Sequence, residues 1–302
     1  MFSIANYHYP RVVFTKNAKN LLNPINRQRY VIRPEEIVRL RWIDGALQSL
    51  NWNKTRISTE QSILTSYKYE QLRADIILYN ADFSAEILVE CKAPSVKLSD
   101  STALQAGLYN SSIKANTIVL TNGIHELWFS RKDDQWSPIE QIPYPFLSDS
   151  QFQFNIDYWI DRGFLGKLID RESSKPFLAF LFEWFLKSEP ETIQFRSFSS
   201  LLDGLDLSHF YRSWSKEKEG FHLTVQSDSK GKTFLIALKS IKGSISSILS
   251  IDVDALLSDF KNCANLYSMG SRKQVHLQDE LLRNLQNGDS IGFNEEYFFS
   301  QF

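Results

Sequence analysis

Residues 86–94 read Glu-Ile-Leu-Val-Glu-Cys-Lys-Ala-Pro, a run apolar enough for a buried β-strand that nonetheless carries Glu90 and Lys92 one residue apart. Strand side chains alternate between faces, so Glu90 and Lys92 share one face while Val89 and Cys91 share the other. Neither charge can be buried alone without a large desolvation cost. The two must therefore satisfy each other, face solvent, or engage an ion and a ligand. Any sheet this chain forms has to provide polar company at that point.

The flanking sequence supplies the rest of the sheet. Upstream, residues 56–64 (RISTEQSIL) and 73–80 (RADIILYN) are β-favouring runs separated by polar segments, and with residues 85–93 they predict an antiparallel meander. Before them, residues 33–50 predict an amphipathic helix: Pro34 suits the first turn, Glu35 and Glu36 suit its dipole, and Ile37, Leu40, Ile43, Leu47 and Leu50 recur at helical spacing. After Pro94, residues 99–115 predict a second helix, with Ser99 or Asp100 as N-cap and Leu104 and Leu108 as its apolar pair. Two more strands follow, TIVLTNG and HELWFS, so the order is helix, three strands, helix, strand, strand.

Three prolines between Ser137 and Ser150 interrupt all periodicity and mark a linker or domain edge. We expect domains over 1–145 and 151–302. The second is read as α+β: an aromatic helix at 176–187, a hairpin over 221–242 turning at Asp228 to Gly231, and amphipathic helices at 253–267 and 275–287. The aromatic tail, EEYFFSQF, is expected to dock on a core or a partner, and the aromatic character of this domain suits a homodimer.

Asp75 opens the strand preceding Glu90, and adjacent antiparallel strands hold opposite side chains roughly 5 Å apart. If register brings Asp75 opposite Glu90, two carboxylates meet and need a shared proton or a divalent cation. On the first helix Glu36 falls in the middle of the apolar arc and Glu35 well outside it, so Glu36 should point inward. Proximity to the same cation would explain that, as would simple service to the helix dipole. Gln105 and Tyr109, four apart on the second helix, share a face and can hydrogen-bond phosphate oxygens or orient the lysine.

Taken in order, the inward helix glutamate, the strand aspartate, Glu-X-Lys (ECK) and Gln-X-X-X-Tyr (QAGLY) resemble the PD-(D/E)XK nuclease superfamily. More closely, RPEEIVR, RADIILY, ILVECKAP, QAGLYN and VLTNG resemble the N-terminal nuclease module of type I restriction enzyme R subunits, over about residues 30–130. The resemblance implies an α/β fold, a restriction-endonuclease-like mixed sheet flanked by helices, beside the second α+β domain. It implies Mg²⁺ or Mn²⁺ held by Asp75, Glu90 and the Cys91 carbonyl with Glu36 assisting, Lys92 positioning or activating water, and Gln105 and Tyr109 supporting Lys92 or the substrate backbone. DNA is the implied partner, and partners from a restriction system remain unnamed.

Other features bound this reading. Formal net charge is −1, but residues 1–56 hold ten basic and three acidic side chains, a basic arm that either faces phosphate or is merely solvated. Cys91 and Cys263 suit reduced core thiols rather than a disulfide or zinc framework, and the five histidines show no ligand spacing. No apolar run is long enough to cross a bilayer and the first residues lack a secretory pattern, which predicts a cytoplasmic protein without membrane contact. The segment QSDSKGKTF has Gln226 where a phosphate loop needs its first glycine, so it is read as a hairpin turn and no ATP-driven translocase is expected. The readings are a metal-dependent DNA nuclease, a non-catalytic nucleic-acid-binding or scaffolding protein retaining the fold, or a metal-dependent hydrolase with another substrate.

Overall fold

The computed structural model describes residues 3–6, 8–16, 18–63, 72–133, 135–142, 155–170, 172, 174–179, 193–198, 206–259, 263–268, 270–277, 283–284 and 295–300. The chain is a mixed α/β protein divided into two compact units, one of Met1–Arg11 and Leu21–Gln151, the other of Val12–Asn20 and Phe152–Phe302. No helix among the described residues is long and apolar enough to cross a membrane.

The N-terminal segment forms short strands, β1 (Arg11–Phe14), β2 (Lys19–Leu22) and β3 (Arg29–Val31), where an arm was expected. Residues 12–20 join the second unit through backbone and side-chain bonds: Val12 N–H donates to Asp161 O at 2.8 Å, and Lys19 Nζ to Ser227 O at 2.8 Å.

In the first unit α1 (Pro34–Gln48) starts at Pro34 without a side-chain cap and is buried on nearly every side from Ile37 to Ala46. Such a helix tolerates charge only where each charge is met. Arg41 is fully buried and donates to His8 O (2.9 Å), Ala5 O (3.1 Å) and Gly123 O (3.2 Å). Gly45 lets residues 3–6 approach, since a Cβ there would lie 2.3 Å from Ile4 O. The basic surplus is thus partly internal.

After a 3-10 turn at Lys54–Arg56 come β4 (Ile57–Ile63), β5 (Leu72–Tyr79) and β6 (Ala85–Cys91), paired antiparallel as a meander. Helix α2 (Asp100–Ile113) then carries the chain across to β7 (Thr117–Thr121), which runs parallel to β6, as a crossover helix allows and a tight turn does not. Strands β8 (Glu126–Lys132) and β9 (Gln135–Ile139) complete a six-stranded sheet in the order β4-β5-β6-β7-β8-β9. The first part of the expected linker is therefore a strand, with Pro138 tolerated because β9 lies at the sheet edge. Residues 143–150 lie outside the described residues.

Helix α2 packs on the sheet through small residues. Ala106, with Ala103 beside it, meets Ile118 and Leu120, while Tyr109 joins Ala74, Ile77 and Leu88. Leu104 and Leu108, the expected apolar pair, are instead 69% and 64% exposed. The close approach of helix to strands β6 and β7 favours alanine over leucine at the contact, so the bulkier residues turn outward.

The second unit contains α3 (Ile156–Ile160) and a seven-stranded antiparallel meander in chain order: β10 (Ile193–Ser197), β11 (Ser208–Lys216), β12 (Glu219–Ser227), β13 (Thr233–Ile241), β14 (Ser244–Asp252), β15 (Ala264–Ser268) and β16 (Ser271–Gln274). The expected hairpin is β12–β13, its turn closed by Asp228, whose Oδ1 accepts from Lys230 N–H and Lys232 N–H at 2.9 Å each, so the Gly-Lys-Thr sequence belongs to that hairpin. The helix expected over 253–267 ends early: α4 spans Val253–Asp259, and residues 264–268 are β15. Of the aromatic run at 176–187 only residues 176–179 are described, as helix, and most of 275–287 lies outside the described residues. The tail docks on the core as α5 (Glu295–Ser300), with Phe299 edge-on to Trp214 and Phe221 at 4.9 and 5.0 Å.

Candidate functional site

Three neighbouring strands bring acidic residues into one row. Ile76 pairs with Val89, so continuing the β5–β6 register by one residue sets Asp75 across from Glu90. Thr59 pairs with Ile76 and Gln61 with Ala74, which brackets Glu60 against Asp75 on the other side. Asp75 Oδ2 accepts the Cys91 N–H at 2.7 Å, so the carboxylate closes the end of the β5–β6 ladder where a carbonyl would otherwise act.

Glu90 is 3% exposed. Its Oε1 accepts from Lys92 Nζ at 2.8 Å, while Oε2 is buried with no hydrogen-bond partner. Burial pushes the Glu90 carboxyl up to about 7; the Asp75 charge adds to this and the Lys92 bond opposes it. Burial likewise raises Asp75, against the pull of the Cys91 N–H and the Arg39 and Lys92 charges. Lys92 also donates to Gln105 Oε1 at 3.0 Å, and Gln105 Nε2 donates to Tyr109 OH at 2.6 Å. Burial would lower the Lys92 pKa, but the Glu90 hydrogen bond and charge outweigh it and the net shift is upward. The lysine is therefore an ammonium at neutral pH.

Of the residues predicted to form the site, Asp75, Glu90, Lys92, Gln105 and Tyr109 thus form one connected group across β5, β6 and α2. Cys91 contributes its backbone; its thiol is buried and held protonated, its pKa raised first by burial. Glu36 is half-buried, whereas Glu35 is exposed. Glu36 reaches the group only through Arg39, whose guanidinium bonds it and lies 3.3 Å from Glu60 Oε1 and 3.5 Å from Asp75 Oδ1.

Arg39 and Glu60 are the members that sequence reasoning missed. Arg39 was detectable as the residue one helical turn after Glu36, and Glu60 as the lone acid in its β-favouring run. Among the described residues no three His, Cys, Asp or Glu side chains gather as a ready-made metal cage. The Asp75 and Glu90 carboxylates and the Cys91 carbonyl are hard oxygen donors, the kind that magnesium or manganese prefers, and one Glu90 oxygen has no hydrogen-bond partner.

Residues 34–143 match the family model described as the type I restriction enzyme R protein N terminus (HSDR_N). That span runs from α1 to the residues just after β9 and so contains every residue of the site named above. No curated protein matches the chain.

Proposed function

We propose that the protein is a metal-dependent nuclease that hydrolyses DNA phosphodiesters at the Asp75–Glu90–Lys92 centre. The observation that carries this reading is Glu90: a deeply buried carboxylate with one oxygen on Lys92 and the other unpaired, next to a second carboxylate. A buried acid so arranged is costly in isolation and gains from a hard cation. The restriction-enzyme family match over the same residues supports a nuclease-related role.

Asp75, Glu90 and the Cys91 carbonyl would hold Mg²⁺ or Mn²⁺. When bound, such an ion supplies Lewis acidity toward phosphoryl oxygens and a lowered pKa for water. Lys92, kept protonated by Glu90, acts as a cationic donor rather than a base: two of its three N–H bonds are committed, and the third can meet a water or a phosphate oxygen. Gln105 and Tyr109 fix the direction of that ammonium. Preorganised charge of this kind is what phosphoryl transfer chiefly requires.

Asp75→Ala, Glu90→Ala and Lys92→Ala should each abolish Mg²⁺-dependent cleavage of DNA while circular dichroism stays that of the parent. Undiminished cleavage by all three would overturn the reading. One observation favours the rival, a nucleic-acid-binding scaffold: Arg39 already compensates Asp75 without any ion. Calorimetry separates the two, since a scaffold binds DNA but not Mn²⁺.

A further inference from the structure

Two arginines two residues apart on α1 are buried for different purposes. Arg41 spends its guanidinium on three backbone carbonyls, as a structural clamp does. Arg39, 6% exposed, directs its guanidinium nitrogens to acids of the site, Glu36, Glu60 and Asp75. Its Nε is buried with no hydrogen-bond partner, and its guanidinium lies 5.3 Å from the Tyr30 ring centroid, on the ring's face. Tyr30 in turn donates its hydroxyl to Glu60. Glu60 itself sits at φ 54°, a left-handed backbone that a non-glycine residue in mid-strand adopts only when its surroundings enforce it. Here the backbone turns at the residue whose carboxylate reaches Arg39.

We propose that Arg39 is a built-in counter-cation of this acidic row, so that the centre takes one divalent ion rather than two, with Arg39 and Glu60 as positioning residues; the inference rests on the nuclease reading above. Four carboxylates, Glu36, Glu60, Asp75 and Glu90, face the buried Arg39 guanidinium and the Lys92 ammonium; a second guanidinium, Arg73, reaches Glu60 Oε1 at 3.4 Å but is 60% exposed, so solvent screens its charge. With the exposed Arg73 set aside, a single dication at Asp75 and Glu90 balances the buried charges, whereas a second would leave uncompensated positive charge in a largely buried site. Arg39 also occupies the space among Glu36, Glu60 and Asp75 where a second ion would find its oxygens.

Titration calorimetry with Mn²⁺ on the full chain tests this. The parent should bind one ion per chain, Arg39→Gln two, and Arg39→Lys one again, a pattern that a purely structural arginine would not produce. Two ions in the parent, or one in Arg39→Gln, would overturn the inference and leave the nuclease reading standing; no ion in the parent would overturn both. Should Arg39→Gln unfold without metal, its melting temperature decides: a rise with Mn²⁺ concentration larger than the parent's supports the inference, and no rise overturns it.

Discussion

Glu90 and Lys92 show how much a two-residue spacing can settle. Alternation alone puts them on one face, and the structure joins them at 2.8 Å. Asp75 was legible as a neighbour by the same logic, because strand pairing needs only a short turn between β5 and β6. Arg39 and Glu60 were not legible in this way: their meeting depends on where α1 sits over the sheet, which no local period encodes. The pair chemistry predicts that Lys92→Met, which leaves Glu90 without its ammonium, lowers stability without added metal by about 3 kcal/mol, and that Mn²⁺ recovers most of it. Urea unfolding with and without Mn²⁺ measures both quantities. At Gly45 the constraint is steric. Gly45→Ala would place a methyl 2.3 Å from Ile4 O, and thermal unfolding should show a loss of about 1–3 kcal/mol without change in Mn²⁺ affinity.

Elements carried the fold class well and their orientation less well. Helix α1, the β4–β5–β6 meander and the position of α2 in the element order follow from periodicity and turn residues, whereas a mixed sheet was expected from the family resemblance alone. Yet α2 is rotated from the face its two leucines suggest, because the contact with β6 and β7 is made by Ala103, Ala106 and Tyr109. Leu104→Lys and Leu108→Lys should therefore change unfolding free energy by no more than about 0.5 kcal/mol, whereas Ala106→Leu should cost about 1–3 kcal/mol. Denaturant midpoints of the three variants check the orientation. In the second unit the serine-rich strand β14 and the short strands β15 and β16 carry weak alternation, so most of the meander escaped a reading that caught only the β12–β13 hairpin.

Across the whole molecule, the two units differ in where their charges lie. The first holds the acidic row; the second buries His222 between Ser213 Oγ (2.9 Å) and Ser240 Oγ (3.1 Å), with Arg196 as the charged group facing it. Burial, and then Arg196, depress its pKa to about 4, so the native state holds it neutral while the unfolded chain takes up a proton near 6.5. Its contribution is complete above pH 6.5 and is lost as pH falls toward 4. Unfolding monitored at Trp214 should show stability declining over that window, and His222→Gln should flatten the decline. The chain's N-terminal residues are divided between the units, a division that composition could not reveal. Pro138 on β9 has a consequence of another kind. A proline at the open border of a six-stranded sheet removes one amide from the row that a neighbouring molecule would need in order to add a strand, so that border is a poor template for fibre growth even at the concentrations used for crystallisation.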